Sequence, residues 1–164
     1  MKNKVSINLE LSLVEIIISI LIFAIAGAIM LNCFAAAKFT QIKANDKVEA
    51  GNRVQSIAEM IKSFDSSTEA DVYLAENFSL QKLNGNEGIY MSYYDKYWNI
   101  CGEEKHEYSI TVKTSDVLTS SGETKEFIIS SERAEPYPFI DKNKETDNIY
   151  EIKTKKFFPN YTRR

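Results

Sequence analysis

The chain has 164 residues, with 20 Lys and Arg against 23 Asp and Glu and a net charge of −3. That balance, with only the short clusters Lys153–Lys156 and Arg163–Arg164 set among acids, leaves no electrostatic footprint for nucleic acid. The 44% hydrophobic content would suit one ordinary soluble domain, but it is unevenly spread: Ile16 to Ala37 carries no charge, while all nine tyrosines and the only tryptophan lie beyond residue 70.

Residues 1–10 form a basic leader, with Lys2 and Lys4 ahead of the apolar run. This asymmetry keeps an N-terminus cytoplasmic and sends the next segment across a membrane. The uncharged run Ile16–Ala37 is 22 residues long; as a helix it rises about 33 Å, enough to cross a hydrocarbon core. Residues 11–37 therefore read as a membrane helix or an export signal. From 38 to 64 the helical pattern continues without proline, and Val54, Ile57, Ala58, Ile61 and Phe64 recur on one face. Gly51 is a weak point in it, costing about 1 kcal/mol relative to Ala. The expectation is one helix from about Leu11 to Phe64, stopped by Asp65-Ser66-Ser67-Thr68.

Beyond it the period changes. Asp71–Phe78 reads as a short helix or a strand, and Leu83–Gly88 as a turn. Ile89–Tyr94 and Tyr97–Ile100 are aromatic and β-branched, as strands prefer. Tyr108, Ile110 and Val112 alternate with polar residues, and Phe127-Ile128-Ile129 comes after the turn signal Ser120-Ser121-Gly122, which predicts an antiparallel hairpin. Ile149–Lys155 is a last strand. Residues 65–164 are thus expected to form an α+β domain, with the long helix lying on its antiparallel sheet of three to five strands.

Residues of chemical interest are few. Cys33 and Cys101 fall on opposite sides of the compositional boundary, which argues against a disulfide between them. His106 is the only histidine, so no zinc spacing arises. Asp141-Lys142-Asn143-Lys144-Glu145-Thr146-Asp147 alternates oxygen ligands as calcium loops do. It has Thr146 where such a loop needs Gly and Ile152 where it needs Glu, so a solvated loop is expected. No nucleophile elbow, zinc-protease motif or phosphate-cradling loop is present. Neither catalysis nor a cofactor or metal is expected.

Glu15 is the informative residue. A carboxylate at the head of a membrane helix is either hydrated at the interface or held for a purpose, because unpaired in hydrocarbon it costs a few kcal/mol. The stretch Leu11-Ser12-Leu13-Val14-Glu15-Ile16-Ile17-Ile18-Ser19-Ile20 resembles the N-terminus of type IV pilins and pseudopilins. In that family a basic leader ends in Gly and the mature chain begins Phe-Thr-Leu-Ile/Val-Glu. Leu13, Val14 and Glu15 match directly, Ser12 stands for Thr, and Leu11 stands for Phe. Glu10 stands where the family has Gly, which puts cleavage by a prepilin peptidase in question. The resemblance covers about the first 40 residues. It implies a processing site at Glu10 and Leu11, methylation of the new amine, an assembly role for Glu15, and filament partners of the same family in a pilus, secretion or competence machine. The alternative is an exported binding domain that never polymerises, released by an ordinary signal-peptide cut after Ala37, at Phe34-Ala35-Ala36-Ala37, or merely tethered to the membrane. A lipoprotein reading of Met30-Leu31-Asn32-Cys33 fails on Asn32, where a small residue is needed.

Overall fold

The computed structural model describes the backbone of residues 4–84, 87–119, 121–137 and 147–159, and the side chains of 12–82, 87–117, 121–137 and 148–159. The chain divides into two compact units, Met1–Gln41 and Ile42–Arg164.

The first unit is helical. Helix α1 spans Lys4–Ser63, beginning ahead of the expected Leu11. The reason lies in Val5–Leu11, which contains neither Gly nor Pro and is rich in residues that tolerate a helix, so nothing stops it there. In this unit the large apolar side chains are exposed, Phe23 by 80% and Leu31 by 72%. The helix is long and apolar enough to cross a membrane.

The second unit is α+β. The part of α1 from Ile42 onward changes character, from apolar on all sides to apolar on one stripe. Val54 and Ile61 are fully buried, Ala58 and Ile57 nearly so, and Phe64 packs at the margin, as the spacing predicts. Lys156 closes the helix, its ammonium donating to the carbonyl oxygens of Lys62, at 2.6 Å, and Phe64. A cation on the last carbonyls meets both the orphan acceptors and the negative end of the dipole.

Helix α2 spans Ser67–Asn77. Ser66 caps it, accepting from the Glu69 N–H at 3.2 Å, while the Glu69 carboxylate accepts from the Asp65 N–H at 3.1 Å. This is a capping box shifted by one residue, and it decides the helix-or-strand ambiguity of Asp71–Phe78 in favour of helix. Ala70 and Leu74 face the core.

Among the described residues the sheet is antiparallel and has six strands: β1 (Ser79–Asn84), β2 (Glu87–Tyr94), β3 (Ile100–Cys101), β4 (Tyr108–Thr119), β5 (Gly122–Arg133) and β6 (Asp147–Pro159). They run in the order β1-β2-β4-β5-β6, with β3 paired to β2. Six exceeds the three to five expected. The additions are β1, an edge strand whose Ser-Leu-Gln-Lys-Leu-Asn carries little strand propensity, and the two-residue β3. The strand expected at Tyr97–Ile100 is replaced by a turn that leaves only Ile100 in β3. The predicted β4–β5 hairpin forms in unbroken register from Tyr108 opposite Arg133 to Thr119 opposite Gly122. Gly122 is demanded there, because a Cβ would collide with the Phe158 carbonyl oxygen of β6.

One sheet face packs on the helices. Ile110 and Val112 of β4 and Phe127 and Ile129 of β5 are fully buried against the α1 stripe and Leu74. Alternation along β2 obeys the same logic, Tyr90 and Tyr94 in, Ile89 and Met91 half out.

Candidate functional site

Of the residues singled out in the sequence, Glu10, Leu11, Glu15 and Cys33 fall in the first unit. Glu10 and Leu11 lie on the α1 backbone, and their side chains are outside the described residues. Glu15 is exposed, four positions and so about one turn beyond Leu11 on the same helix face. Its carbonyl oxygen accepts from the Ser19 hydroxyl at 2.8 Å, a back-bond that lets a polar residue sit in an apolar helix without an orphan donor. The helix also runs unbroken through Phe34–Ala37. The Asp141–Asp147 calcium candidate lies outside the described residues except for the Asp147 backbone, which opens β6. Cys33 and Cys101 are both free thiols. His106 sits beyond a 3-10 turn, Glu103–Lys105, with a ring nitrogen on the Glu103 carbonyl and its ring 4.8 Å from Tyr93. Among the described residues no group of His, Cys, Asp and Glu is arranged to hold a metal ion.

Three polar constellations in the second unit are not announced by any motif. The first is centred on Lys125, which is buried on β5. Its ammonium donates to both Asp71 oxygens of α2, at 2.7 and 2.8 Å, with Asp116 of β4 at 3.4 Å and Glu123 at 3.9 Å. Burial pulls the Lys125 ammonium down, but the carboxylates, Asp71 foremost, outweigh it and leave it raised. Asp116 is raised as well, by burial, against the pull of Lys125. The cluster ties α2 to the sheet.

The second surrounds Asp46, buried on α1. It accepts from the Tyr137 hydroxyl at 2.7 Å, and its charge also acts on Tyr108. Arg133 lies 4.4 Å from the Tyr137 ring centre. Burial first, and Asp46 next, push both phenols well above the ordinary tyrosine value.

The third is the β2–β3 turn. The Asp95 carboxylate accepts from the Tyr97 N–H at 2.8 Å, the Asn99 N–H at 2.9 Å and the Asn99 amide at 3.3 Å. Those bonds, the one from the Asn99 backbone foremost, hold the Asp95 carboxyl below its usual range. Trp98 closes the turn at φ 63°, a left-handed conformation that costs a bulky residue about 1–2 kcal/mol. Its indole stacks on Tyr108 at 4.3 Å, and the Arg53 guanidinium lies 5.5 Å from it and 5.2 Å from the Tyr94 ring. The aromatic run with the composition of a strand thus contains a turn whose only sequence signal is the pair Asp95 and Asn99.

Comparison with models of known families, with curated proteins and with solved structures finds no match to this chain. Its fold and its residues alone therefore bear on function.

Proposed function

We propose that the protein is a structural subunit of an envelope filament, a minor type IV pilin or pseudopilin, held in the membrane before assembly. The observation that carries the reading is the union, in one helix, of an uncharged apolar stretch headed by Glu15 with an amphipathic stretch that packs on an antiparallel sheet. An apolar stretch exposed on all sides needs lipid or like helices around it, and a lone carboxylate at its head needs a partner once water is excluded. Cleavage after Glu10 by a prepilin peptidase supplies that partner: the new amine at Leu11 of a neighbouring copy pairs with Glu15, and the pair offsets much of the desolvation cost. Registry is then favoured over random stacking. Lys2 and Lys4 set a cytoplasmic N-terminus and an exported C-terminal domain.

The signal-peptide reading has less support, since the apolar run is long for an export signal and is headed by Glu15; helix α1 itself runs through both candidate cuts and does not choose between them. The N-terminal mass of the protein from its own cells tests both. A chain beginning at Leu11 supports the pilin reading, one beginning at Lys38 the signal-peptide reading, and an intact Met1 a domain that is anchored only. With Leu11 found, Glu15→Ala should insert normally and be lost from filaments; normal incorporation defeats the pairing.

A further inference from the structure

The second unit carries a rigid tip and an open groove side by side. Tyr97 is 71% exposed and Ile100 78% exposed, both at the ordered turn between β2 and β3. Lys96 lies over the Tyr97 ring at 4.7 Å, so the tip is an aromatic face joined to a cation. Its backbone is fixed by the Asp95 hydrogen bonds and by Trp98 clamped between helix and sheet. Strain of this kind, overdetermined by its surroundings, collects where a loop must hold one shape for a ligand. Aromatic anchors already held in place lose little freedom on binding, which is why they dominate hot spots.

The groove runs along α2. Phe64, Val72 and Tyr73 line a cavity of about 540 Å³, flanked by Glu69 and Glu76, and Val72 is half exposed. Glu76 also borders a neighbouring cavity of about 320 Å³ that is lined by Met91 and by Ile100 of the tip itself. Ile100 of the tip and Glu76 of the groove therefore border one cavity, which makes tip and groove neighbours.

We propose that this face is a self-association surface, in which the Lys96–Tyr97 tip of one copy enters the Phe64–Val72–Tyr73 groove of a second and Lys96 pairs with Glu76. The charges choose the occupant. The groove is apolar between two carboxylates, and the tip of the same chain is apolar beside an ammonium. Because tip and groove are neighbours, a two-fold rotation lets both copies exchange the contact at once, which is the isologous arrangement. The contact lies wholly within residues 42–164 and does not depend on the filament reading. A single turn and a single helix face make a small interface, of the transient class, so it is best read by capture in place.

The test is photocrosslinking in the full chain, with Tyr97 replaced by benzoylphenylalanine and light and heavy isotopic copies expressed together in membranes. Mixed-isotope crosslinks between position 97 and residues 64–77 are expected. Crosslinks confined to single copies, to lipid or to another protein, or none at all, would overturn the proposal. Charge exchange gives a second readout, using Glu76 because Glu69 serves the α2 cap. Using the same probe, Lys96→Glu and Glu76→Lys should each lower the mixed-isotope yield about fivefold, and the two together in one chain should restore it. Two unchanged single variants, or a combination that fails to recover, would remove the pairing on which the choice of occupant rests.

Discussion

Tyr137 donates its hydroxyl to Asp46 over 2.7 Å, joining the segment after β5 to α1 across 91 positions of sequence. Tyr137 is 1% exposed and Asp46 7%, so the bond is out of water. A hydrogen bond to a charged group in such a place is worth about 1.5–3 kcal/mol, and Tyr137→Phe should lower stability by that amount at neutral pH. The raised phenols also set a pH dependence. Above about pH 10 the unfolded chain releases the protons of Tyr108 and Tyr137 while the folded one retains them. The folded state then binds more protons, so stability falls as pH rises, by about 1.4 kcal/mol per pH unit for each phenol. Denaturant melts between pH 8 and 11 should show this fall, and Tyr137→Phe should make it shallower by one group's share. An identical slope in the variant would place the titration elsewhere.

Gly51 is expected to be improvable. A Cβ there would meet the Tyr150 ring of β6 at 3.7 Å, an ordinary contact. Glycine inside a helix costs about 0.5–1 kcal/mol relative to alanine. Gly51→Ala should therefore raise the midpoint of thermal unfolding by a few degrees. A lowered midpoint would mean that the ring cannot give at all.

Among the described residues the buried core lies wholly in the second unit, from Ala50 onward. A chain beginning at Lys38 should fold without the apolar run and stay soluble. In it, Ile57→Asp should abolish the cooperative melt, since a lone buried carboxylate costs several kcal/mol against a total of about 5–15. Circular dichroism on heating reads both, and an unchanged melt would put Ile57 on a face the core does not use.

Lys125 is one cation among three carboxylates, and the consequence is asymmetric. Lys125→Met should cost about 3–5 kcal/mol at neutral pH, because Asp71, Asp116 and Glu123 are left to repel one another. Protonation of Asp116, whose carboxyl is already raised by burial, relieves part of that repulsion, so the variant should recover stability as pH falls below 7. Urea melts at pH 5 and 7.5 check it; a variant equally weakened at both would show that lost packing, not charge, is the cause.

Periodicity decides how much of the fold is legible in the sequence. Val54, Ile57, Ala58 and Ile61 announce their burial because helix geometry leaves them no other common face, and the β4–β5 hairpin is legible because alternation and a Ser-Ser-Gly turn agree. Trp98 escapes such a reading because its local composition favours a strand, while the turn is fixed by Asp95 reaching four residues on to Asn99 and by Tyr108 and Arg53, remote in sequence. The same holds for the Lys125–Asp71 and Asp46–Tyr137 pairs, whose members lie 54 and 91 positions apart. Neither a window of ten residues nor a propensity scale contains such pairs. Glu15 stands out for the opposite reason, its anomaly being purely local.

The Lys156 cap on α1 bears on the order in which the chain matures. The helix is written first, yet the ammonium that closes its carbonyls arrives on the last strand, 94 positions after Lys62. Until β4 and β5 have emerged, the stripe at Val54 and Ile61 lacks its main cover, and until β6 follows, the end of α1 is open to fraying. A nascent chain thus holds its sticky surface exposed for much of its synthesis. Any factor that shields apolar helices during synthesis meets this chain in that interval, and deletion of β6 alone should convert a folded product into a substrate for proteolysis.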